Sequence, residues 1–225
     1  MSQVLIIGAS RGIGLEFARQ YAADGAHVTG TARAATGLQR LRASGAARAL
    51  RLDVTDPQDI AVVARALDGA AFDIVVHNAG VYGPRGLDAP RAPSAADFDA
   101  VMHTNVLGAM RVLPQLAGLL APRGARIAVI SSRMGSIGSR SNGGGWLYRA
   151  SKAALNSVLK DLSFVYADHA ICAAFHPGWV KTDMGGADAD LEVADSVAAL
   201  RRSIAALGAP HHGGFYDHDG TPLAW

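Results

Sequence analysis

Two polar residues four positions apart, Tyr148 and Lys152, carry the clearest chemistry in the sequence. On a helix this spacing places both side chains on one face. A nearby ammonium favours the ionised form of a phenol, so the pair is expected to lower the pKa of Tyr148 and to let it exchange a proton at neutral pH. The alternative is that Tyr148 packs in a core and Lys152 lies on the surface, because such pairs also arise by chance.

A glycine-rich turn near the start of the chain is typical of dinucleotide binding. Gly8 suits a tight turn at a strand end, Gly12 lets a diphosphate approach the backbone, and Gly14 lets the next helix lie close to the sheet. The N–H groups at the start of that helix attract phosphate. The residues expected to contact the nucleotide here are Gly8, Ser10, Arg11, Gly12, Ile13 and Gly14.

The charge at the end of the second predicted strand indicates which dinucleotide binds. An acidic residue there would accept hydrogen bonds from a ribose 2′-hydroxyl, but the strand ends in Thr31-Ala32-Arg33. Arg11 in the glycine turn could reach the same corner, so two guanidiniums would bind a 2′-phosphate. The sequence therefore favours NADP over NAD, the alternative being that Arg33 is a solvated loop cation.

The elements that must position these residues alternate between strand-like and helical patterns, which is typical of repeated βαβ units. We predict one domain over residues 1–225, an α/β Rossmann fold with a doubly wound parallel sheet and helices on both faces. Strands are predicted at Val4–Ile7, His27–Ala32, Ala49–Leu52, Asp73–Val76, Arg126–Ile130, Ile171–Phe175 and Gly214–Tyr216. Helices are predicted at Gly12–Ala23, Pro57–Leu67, Ser94–Leu119 and Tyr148–Asp168. The longest irregular segments are Val81–Pro93, Ser131–Leu147 and His176–Asp190, which follow strand C-terminal ends, where such sheets bind ligands.

Composition excludes several classes of protein. The 225 residues are 50% hydrophobic and 18% charged with a net charge of +2, and no basic stripe predicts a nucleic acid partner. No apolar stretch is long enough to cross a membrane and no export signal is evident, so a cytoplasmic location is expected. Cys172 lies in an apolar run and is expected to be a buried strand thiol. His211, His212 and His218 lack the spacing of metal ligands, so no metal site is predicted.

The motifs, in their order along the chain, resemble those of the short-chain dehydrogenase/reductase family. They are the three glycines, Leu52-Asp53-Val54, His77-Asn78-Ala79-Gly80, Asn105, Ser131-Ser132, Tyr148-x-x-x-Lys152 and Pro177-Gly178. The segments Ser131–Ser136, Tyr148–Lys152 and His176–Met184 are similar to a small bacterial group that includes C-factor and NADPH-dependent carbonyl reductases.

The resemblance implies a role for each of four polar residues. Tyr148 would exchange the substrate proton, and Lys152 would hold the nicotinamide ribose and lower the tyrosine pKa. Ser132 would hydrogen-bond the substrate oxygen, whereas Ser131 would only support the strand end. Asn105 would hold a water that connects Lys152 to solvent.

The resemblance also implies further cofactor contacts. Asp53 would bind the adenine amino group with Val54 beside it, and Val180 and Thr182 would hold the carboxamide. The complete set outside the glycine turn is Arg33, Asp53, Val54, Asn78, Ala79, Gly80, Tyr148, Lys152, Pro177, Gly178, Val180 and Thr182.

Some positions depart from the family pattern. Ile7 and His77 stand where threonine and asparagine are common, which affects hydrogen bonds that support cofactor seating. The insertion Arg133–Leu147 is expected to bend over the substrate, and Gly185–Leu207 is expected to form only a small lid.

The function implied is NADPH-dependent reduction of a ketone or aldehyde, or the reverse oxidation, by hydride transfer with a tyrosine general acid/base. One alternative is a signalling or regulatory protein that binds the dinucleotide with little turnover. Another is a sugar-nucleotide epimerase or dehydratase, which the glycine spacing disfavours. Family members commonly pair the helices Ser94–Leu119 and Tyr148–Asp168 across a two-fold axis, so a homodimer, or a tetramer, is expected. The alternative is that Leu155, Leu159 and Leu162 face only the sheet of their own chain.

Overall fold

The computed structural model describes residues 1–86 and 91–225, and these residues build one seven-stranded sheet. Every neighbouring pair of strands is parallel, in the order β3-β2-β1-β4-β5-β6-β7. The strands are β1 Gln3–Ile7, β2 His27–Ala32, β3 Arg48–Arg51, β4 Ile74–His77, β5 Ala125–Ile130, β6 Ala170–His176 and β7 Gly214–Asp217.

The strand order reverses at β1, which pairs with β2 on one side and with β4 on the other. Ile7, the last residue of β1, is in register with His77, the last residue of β4. Open parallel sheets bind ligands at such a reversal, in the crevice outside the carboxyl ends of the strands.

Alternate residues of β1 enter two separate cores. Leu5 and Ile7 pack in the core on one side of the sheet, and Val4 and Ile6 pack in the core on the other. The sheet is therefore covered on both faces, and the predicted doubly wound α/β fold is confirmed.

The α-helices cover these faces. They are α1 Gly12–Ala23, α2 Ala35–Ala43, α3 Pro57–Ala66, α4 Ala95–Met102, α5 Gly108–Val112, α6 Trp146–Val165 and α7 Val193–Ala205. Shorter 3₁₀ turns span Leu113–Leu119, Arg133–Gly135 and Ala209–His211, and a π-helical turn spans His103–Leu107. No helix in the described part of the chain is long and apolar enough to cross a bilayer.

Most predicted boundaries lie within two or three residues of the observed ones, and α1 and β2 match at both ends. Asp56 caps α3 as the sequence indicates, since its carboxylate accepts a hydrogen bond from the Gln58 N–H at 2.8 Å. Cys172 is a buried strand thiol, and burial raises its pKa to about 12. The predicted loop Val81–Pro93 includes residues 87–90, which lie outside the described residues.

The prediction of one long helix over Ser94–Leu119 is wrong. The segment begins with α4, capped by Ser94, and changes at His103 to a π-helical turn. After α5 it tightens to a 3₁₀ turn that contains Pro114, whose ring supplies no N–H for an α-helical hydrogen bond.

The prediction that Gly185–Leu207 forms a small lid is also wrong for most of its length. Residues Val193–Ala205 form α7, and the side chains of Val197, Leu200 and Ile204 are fully buried in the core that contains Phe17 of α1. Apolar spacing along this segment serves packing against α1 and leaves only its first residues near the crevice.

The three leucines of α6 also face inward. Leu155, Leu159 and Leu162 belong to the same core as β1 and β5, so they pack on the sheet of their own chain. Phe164 and Val165 at the end of α6 are exposed. The homodimer stays a prediction.

Candidate active site

A cleft of about 560 Å³ opens at the carboxyl edge of the sheet, where the strand order reverses. Its volume lies in the usual range for small-molecule and cofactor sites. The predicted site residues that line it are Gly8, Ser10, Arg11, Gly12, Ile13, Arg33, Asp53, Val54, Asn78, Ala79, Gly80, Tyr148, Lys152, Pro177 and Thr182. The others, Gly14, Asn105, Ser132, Gly178 and Val180, are not among the residues that line it.

The glycine turn is packed so tightly that side chains are excluded. Gly8 has φ +84° and a Cβ atom there would lie 2.7 Å from the Ala79 Cα. A Cβ atom at Gly14 would lie 2.2 Å from the carbonyl oxygen of Gly8 and 2.6 Å from the Asn78 amide nitrogen. That amide donates a hydrogen bond to the Gly8 carbonyl at 2.8 Å, so Asn78 joins the ends of β4 and β1.

The start of α1 fits an anionic ligand. Arg11 precedes the helix in extended conformation, and within the described residues no side chain caps this end and its first turn contains no acidic residue. The first N–H groups of a helix need acceptors, which a diphosphate supplies together with complementary charge. The helix N-terminus and the excluded side chains of Gly8 and Gly14 together fit a dinucleotide.

Two cationic residues, Arg33 and Arg40, and the carboxylate of Asp53 line the cleft. Arg33 and Asp53 lie here as expected, and so does Arg40 of α2, which sequence reasoning missed because α2 itself was not predicted. Burial alone would raise the pKa of the Asp53 carboxyl, but hydrogen bonds from Thr55 and the positive charge of Arg33 hold it below its ordinary value. Asp53 is therefore an ionised acceptor.

The guanidinium of Arg11 has a carboxylate partner in this structure. It forms an exposed ion pair with Asp183 at 2.5 Å, which joins the glycine turn to the loop after β6. The expectation that Arg11 and Arg33 bind one phosphate did not take the Asp183 carboxylate into account. Arg33 and Arg40 both line the cleft.

Tyr148 lies in the first turns of α6 with only 7% of its surface exposed. Its ring stacks on Tyr82 with a centroid separation of 4.6 Å and an interplanar angle of 25°. Its hydroxyl donates to the Met184 sulfur at 3.9 Å, and the nearby Ser132 side chain acts to lower the pKa of the phenol. The phenolic oxygen is thus held at the cleft, and the Tyr82 ring covers one face of the Tyr148 ring.

Lys152 follows one helical turn later and is also buried. Its Nζ donates to the Ile130 carbonyl at the end of β5 at 3.0 Å and lies 5.7 Å from the centroid of the Tyr148 ring. Burial disfavours the charged amine and lowers the pKa of Lys152 to about 8. Its positive charge adds to burial in lowering the pKa of His77 to about 3, so that imidazole is neutral.

The expectation that Tyr148 has a lowered pKa is wrong for this structure. Burial raises the pKa of the phenol above its ordinary value, and the nearby Ser132 side chain only partly opposes that effect. Burial is the largest cause, and the Lys152 ammonium, which donates to the Ile130 carbonyl and lies 5.7 Å from the ring centroid, does not offset it. Tyr148 is therefore a protonated phenol at neutral pH.

The two neighbouring serines have different partners. The Ser131 hydroxyl donates to the buried Asn156 side chain at 2.5 Å, which fixes the end of β5. Ser132 accepts a hydrogen bond from the Met134 N–H at 3.1 Å. Ser131 lines the cleft, whereas Ser132 is the serine that acts to lower the pKa of the Tyr148 phenol.

Asn105 lies in the π-helical turn and is fully buried. Its side-chain oxygen accepts from the Val81 N–H and its amide donates to the Val81 carbonyl, both at 2.8 Å, and to the Ser151 hydroxyl at 2.9 Å. A Cβ atom at Gly80 would lie 3.2 Å from Asn105 and 3.4 Å from the Lys152 nitrogen, so these groups are close neighbours. Asn105 positions the chain after β4 next to Lys152, and its water-binding role stays a prediction.

The loop after β6 closes the opposite side of the cleft. A Cβ atom at Gly12 would lie 3.3 Å from the Thr182 methyl group, so this loop lies against the glycine turn. Gly178 has φ +84°, and a Cβ atom there would lie 2.4 Å from the Leu191 side chain. Val180 is buried and forms a β-bridge with Leu191, which fixes the loop.

Only part of the insertion Arg133–Leu147 approaches the cleft. The Ser136 hydroxyl donates to the Ala224 carbonyl at 2.6 Å, and the Gly138 N–H donates to the Trp225 carbonyl at 2.8 Å. At the other end, a Cβ atom at Gly145 would lie 2.7 Å from the Tyr82 hydroxyl. The first half of the insertion is therefore tied to residues 224 and 225, and Gly145 in the second half lies against Tyr82.

The three histidines near the C-terminal end have structural partners. His212 contacts the Ser163 carbonyl at 2.7 Å, and His218 contacts the Asp217 carboxylate at 2.6 Å. His211 accepts from the Gly208 N–H at 3.0 Å. Among residues 1–86 and 91–225, no group of three or more His, Cys, Asp or Glu side chains could hold a metal ion.

Comparison with known proteins places this site in a family. The sequence profile of the family described as short chain dehydrogenase matches residues 2–192. The chain belongs to this short-chain dehydrogenase family. The predicted enzyme class, an NAD(P)-dependent oxidoreductase, is confirmed by this membership.

Individual relatives agree with the family match. The C-signal protein of Myxococcus xanthus is 39% identical over 155 residues, which cover 68% of this chain and 92% of the relative. A short-chain dehydrogenase/reductase from Burkholderia multivorans, solved with bound NADP, is 35% identical with a TM-score of 0.90. The match covers 100% of this chain and 99% of that relative. An NADPH-bound carbonyl reductase from chicken fatty liver is 32% identical with a TM-score of 0.85, covering 100% and 99% of the two chains.

The packing around Gly14 predicts a binding defect in Gly14→Ala. The added methyl group would collide with the Gly8 carbonyl and the Asn78 amide and displace the start of α1 from the diphosphate. We expect fluorescence titration to show at least about a tenfold loss of affinity for the reduced dinucleotide, equivalent to about 1.4 kcal/mol. Gly118→Ala is the matched control, because no atom lies within 4 Å of its Cβ position. Unchanged affinity in Gly14→Ala would contradict the assignment of this helix end.

Proposed function

We propose that the protein reduces a ketone or aldehyde to an alcohol with NADPH, and catalyses the reverse oxidation, using Tyr148 as general acid/base. The observation that carries this proposal is the Tyr148 side chain, buried at the cleft with the Lys152 nitrogen 5.7 Å from its ring centroid and with Ser132 near enough to lower the pKa of its phenol. A substrate oxygen placed between the Tyr148 and Ser132 hydroxyls would receive two hydrogen bonds as negative charge develops on it.

The protonation state of Tyr148 favours the reductive direction. Carbonyl reduction requires a proton on the new alkoxide oxygen, and a phenol whose pKa is raised by burial holds that proton at neutral pH. General acid catalysis of this kind contributes about 10²–10⁴-fold to a rate. Ser132 fixes the substrate oxygen within reach of the phenol.

Lys152 stabilises the anion that remains after proton transfer. Its ammonium is one helical turn from Tyr148 and lies over the same ring, so it attracts the phenolate electrostatically. The hydrogen bond to the Ile130 carbonyl fixes the amine in this position. A protonated Lys152 is therefore part of the working state.

The residues of the cleft fit a nicotinamide dinucleotide. The start of α1 would bind the diphosphate, Asp53 would accept from the adenine, and Thr182 and Val180 would orient the carboxamide. When bound, the nicotinamide supplies a hydride to the carbonyl carbon, or accepts one in the reverse direction. The protein itself contributes the binding, the orientation and the proton.

The preference for NADPH rests on charge at the adenosine end. Arg33 and Arg40 line this part of the cleft, and β2 is followed by Arg33 where an acidic residue would favour NAD. Two guanidiniums suit a phosphate monoester through charge-assisted hydrogen bonds. The bound NADP in the Burkholderia multivorans relative supports the same preference.

A dinucleotide-binding signalling protein is the second candidate, favoured by the 39% identity to the relative named C-signal. Such a protein needs the cleft but not the arrangement of Ser132, Tyr148 and Lys152. The joint presence of these three side chains at one point favours the enzyme.

Tyr148→Phe is expected to retain dinucleotide binding and to lose nearly all carbonyl reduction, by about 10²-fold or more, because the proton donor is removed while the ring remains. The loss of carbonyl reduction is measured from the absorbance of the reduced cofactor, with a panel of carbonyl compounds as substrates. Tyr21→Phe, which removes a hydroxyl from the core against α7, is the matched control. Turnover in Tyr148→Phe equal to the wild type would refute the mechanism, and a wild type without turnover on the panel would favour the signalling candidate.

Arg33→Ala is expected to weaken NADPH binding by roughly 10- to 100-fold, from about 1.5–3 kcal/mol for hydrogen bonds to a charged group, and to leave NADH binding nearly unchanged. Wild-type protein is expected to bind NADPH more tightly than NADH. Parallel calorimetric titrations with both dinucleotides test this, with the exposed Arg65→Ala on α3 as control. Tighter binding of NADH by the wild type would overturn the proposed preference.

A further inference from the structure

The thioether of Met184 contacts the reacting hydroxyl. Its sulfur accepts a hydrogen bond from the Tyr148 O–H at 3.9 Å, and the side chain lines the same cleft as Tyr148 and Lys152. Met184 is 36% exposed, so it lies between the phenol and solvent. A side chain in this place borders the path by which a substrate oxygen reaches Tyr148.

Only one acceptor at a time can take the single phenolic proton of Tyr148 in a strong hydrogen bond. A sulfur acceptor is weak, whereas a carbonyl oxygen is a stronger one, so a substrate can displace the thioether. When the substrate carbonyl displaces the thioether, the apolar end of the Met184 side chain must move to another position. Whether the substrate and the Met184 side chain both fit then depends on the size and shape of the substrate group next to the carbonyl.

The backbone around Met184 is fixed, so its side chain must make room. The Trp179 indole N–H donates to the Gly185 carbonyl at 2.9 Å, and the Gly185 N–H donates to the Thr182 hydroxyl at 3.0 Å. A Cβ atom at Gly185 would lie only 1.9 Å from the Val180 carbonyl oxygen. This loop has little freedom next to Met184, whereas a methionine side chain has three rotatable bonds.

Arg85 ties the same loop to the aromatic wall. Its guanidinium donates to the Met184 carbonyl at 2.7 Å and lies 5.4 Å from the centroid of the Tyr82 ring. Tyr82 in turn stacks on Tyr148. Arg85 contacts Met184, Met184 contacts Tyr148, and Tyr148 stacks on Tyr82, which lies under the Arg85 guanidinium. These four residues enclose one side of the phenol.

We propose that Met184 is the specificity-determining residue of this centre, which selects carbonyl substrates by the bulk of the apolar group next to the carbonyl. Arg85 is a positioning residue that holds the Met184 backbone against the Tyr82 ring. This inference rests on the proposed carbonyl reduction. Substrates with a small substituent fit beside the thioether, and those with a large aryl group are restricted by it.

The test compares Met184→Ala with Met184→Leu, which keeps the side-chain volume but removes the sulfur acceptor. KM and kcat are measured with propanal and with benzophenone, using NADPH. Met184→Ala is expected to lower KM for benzophenone about tenfold relative to KM for propanal, within the range by which small changes in an apolar pocket alter selectivity. Met184→Leu is expected to keep the wild-type ratio of the two KM values.

Two results would overturn the inference. One is an unchanged KM ratio in Met184→Ala, and the other is a change of the ratio in Met184→Leu as large as that in Met184→Ala, which would assign the effect to the sulfur and not to its bulk. Arg85→Ala is expected to shift the KM ratio in the same direction as Met184→Ala without changing kcat for propanal, and a fall of kcat for both substrates would contradict its positioning role.

Calorimetric binding of benzophenone separates this inference from the proposed function. The titration uses the complex with NADP and needs no turnover. Equal affinities of wild type and Met184→Ala would reject the role of Met184, whereas tighter binding by Met184→Ala in a protein that reduces no carbonyl compound would support the selection by size and reject the proposed reaction.

Discussion

The burial of one ammonium beside one phenol is the constraint on which the site depends. A buried charge is costly unless it has hydrogen-bond acceptors and compensating charge. Lys152 obtains its acceptor from the Ile130 carbonyl at the end of β5, and that bond fixes where α6 lies on the sheet. With α6 fixed, Tyr148 comes next to Ser132. The fold thus holds a protonated phenol at the carboxyl edge, where the strand order reverses.

Close backbone approach makes this placement possible. A Cβ atom at Gly135 would lie 2.8 Å from the backbone carbon of Lys152, and one at Gly80 would lie 3.4 Å from its Nζ. The turns after β5 and β4 therefore contact α6 directly. Asn105 holds the second of these turns through both polar atoms of its amide. The two glycines and the Asn105 amide together set the distance between the cofactor cleft and the Tyr148 hydroxyl.

Sequence patterns predict much of this architecture and less of its electrostatics. Alternating strand and helix signals located the seven strands of the sheet, because strands such as β1 are buried on both faces and read as apolar runs. The helix α2 was not predicted, and a lid was predicted in place of α7, although Val197, Leu200 and Ile204 follow helical spacing. Arg40 was missed with α2. The reversed pKa shift of Tyr148 depends on burial and on the direction of the Lys152 side chain, neither of which follows from spacing alone.

The most direct test of the account is the pH dependence of kcat/KM for carbonyl reduction with NADPH. Because burial raises the pKa of Tyr148 and lowers that of Lys152 to about 8, both groups carry their protons in the neutral range. The account predicts a rate that is level through neutral pH and falls above about pH 8 as Lys152 loses its proton. A rate that already falls as the pH rises through the neutral range, as a phenol with a lowered pKa would require, would contradict it.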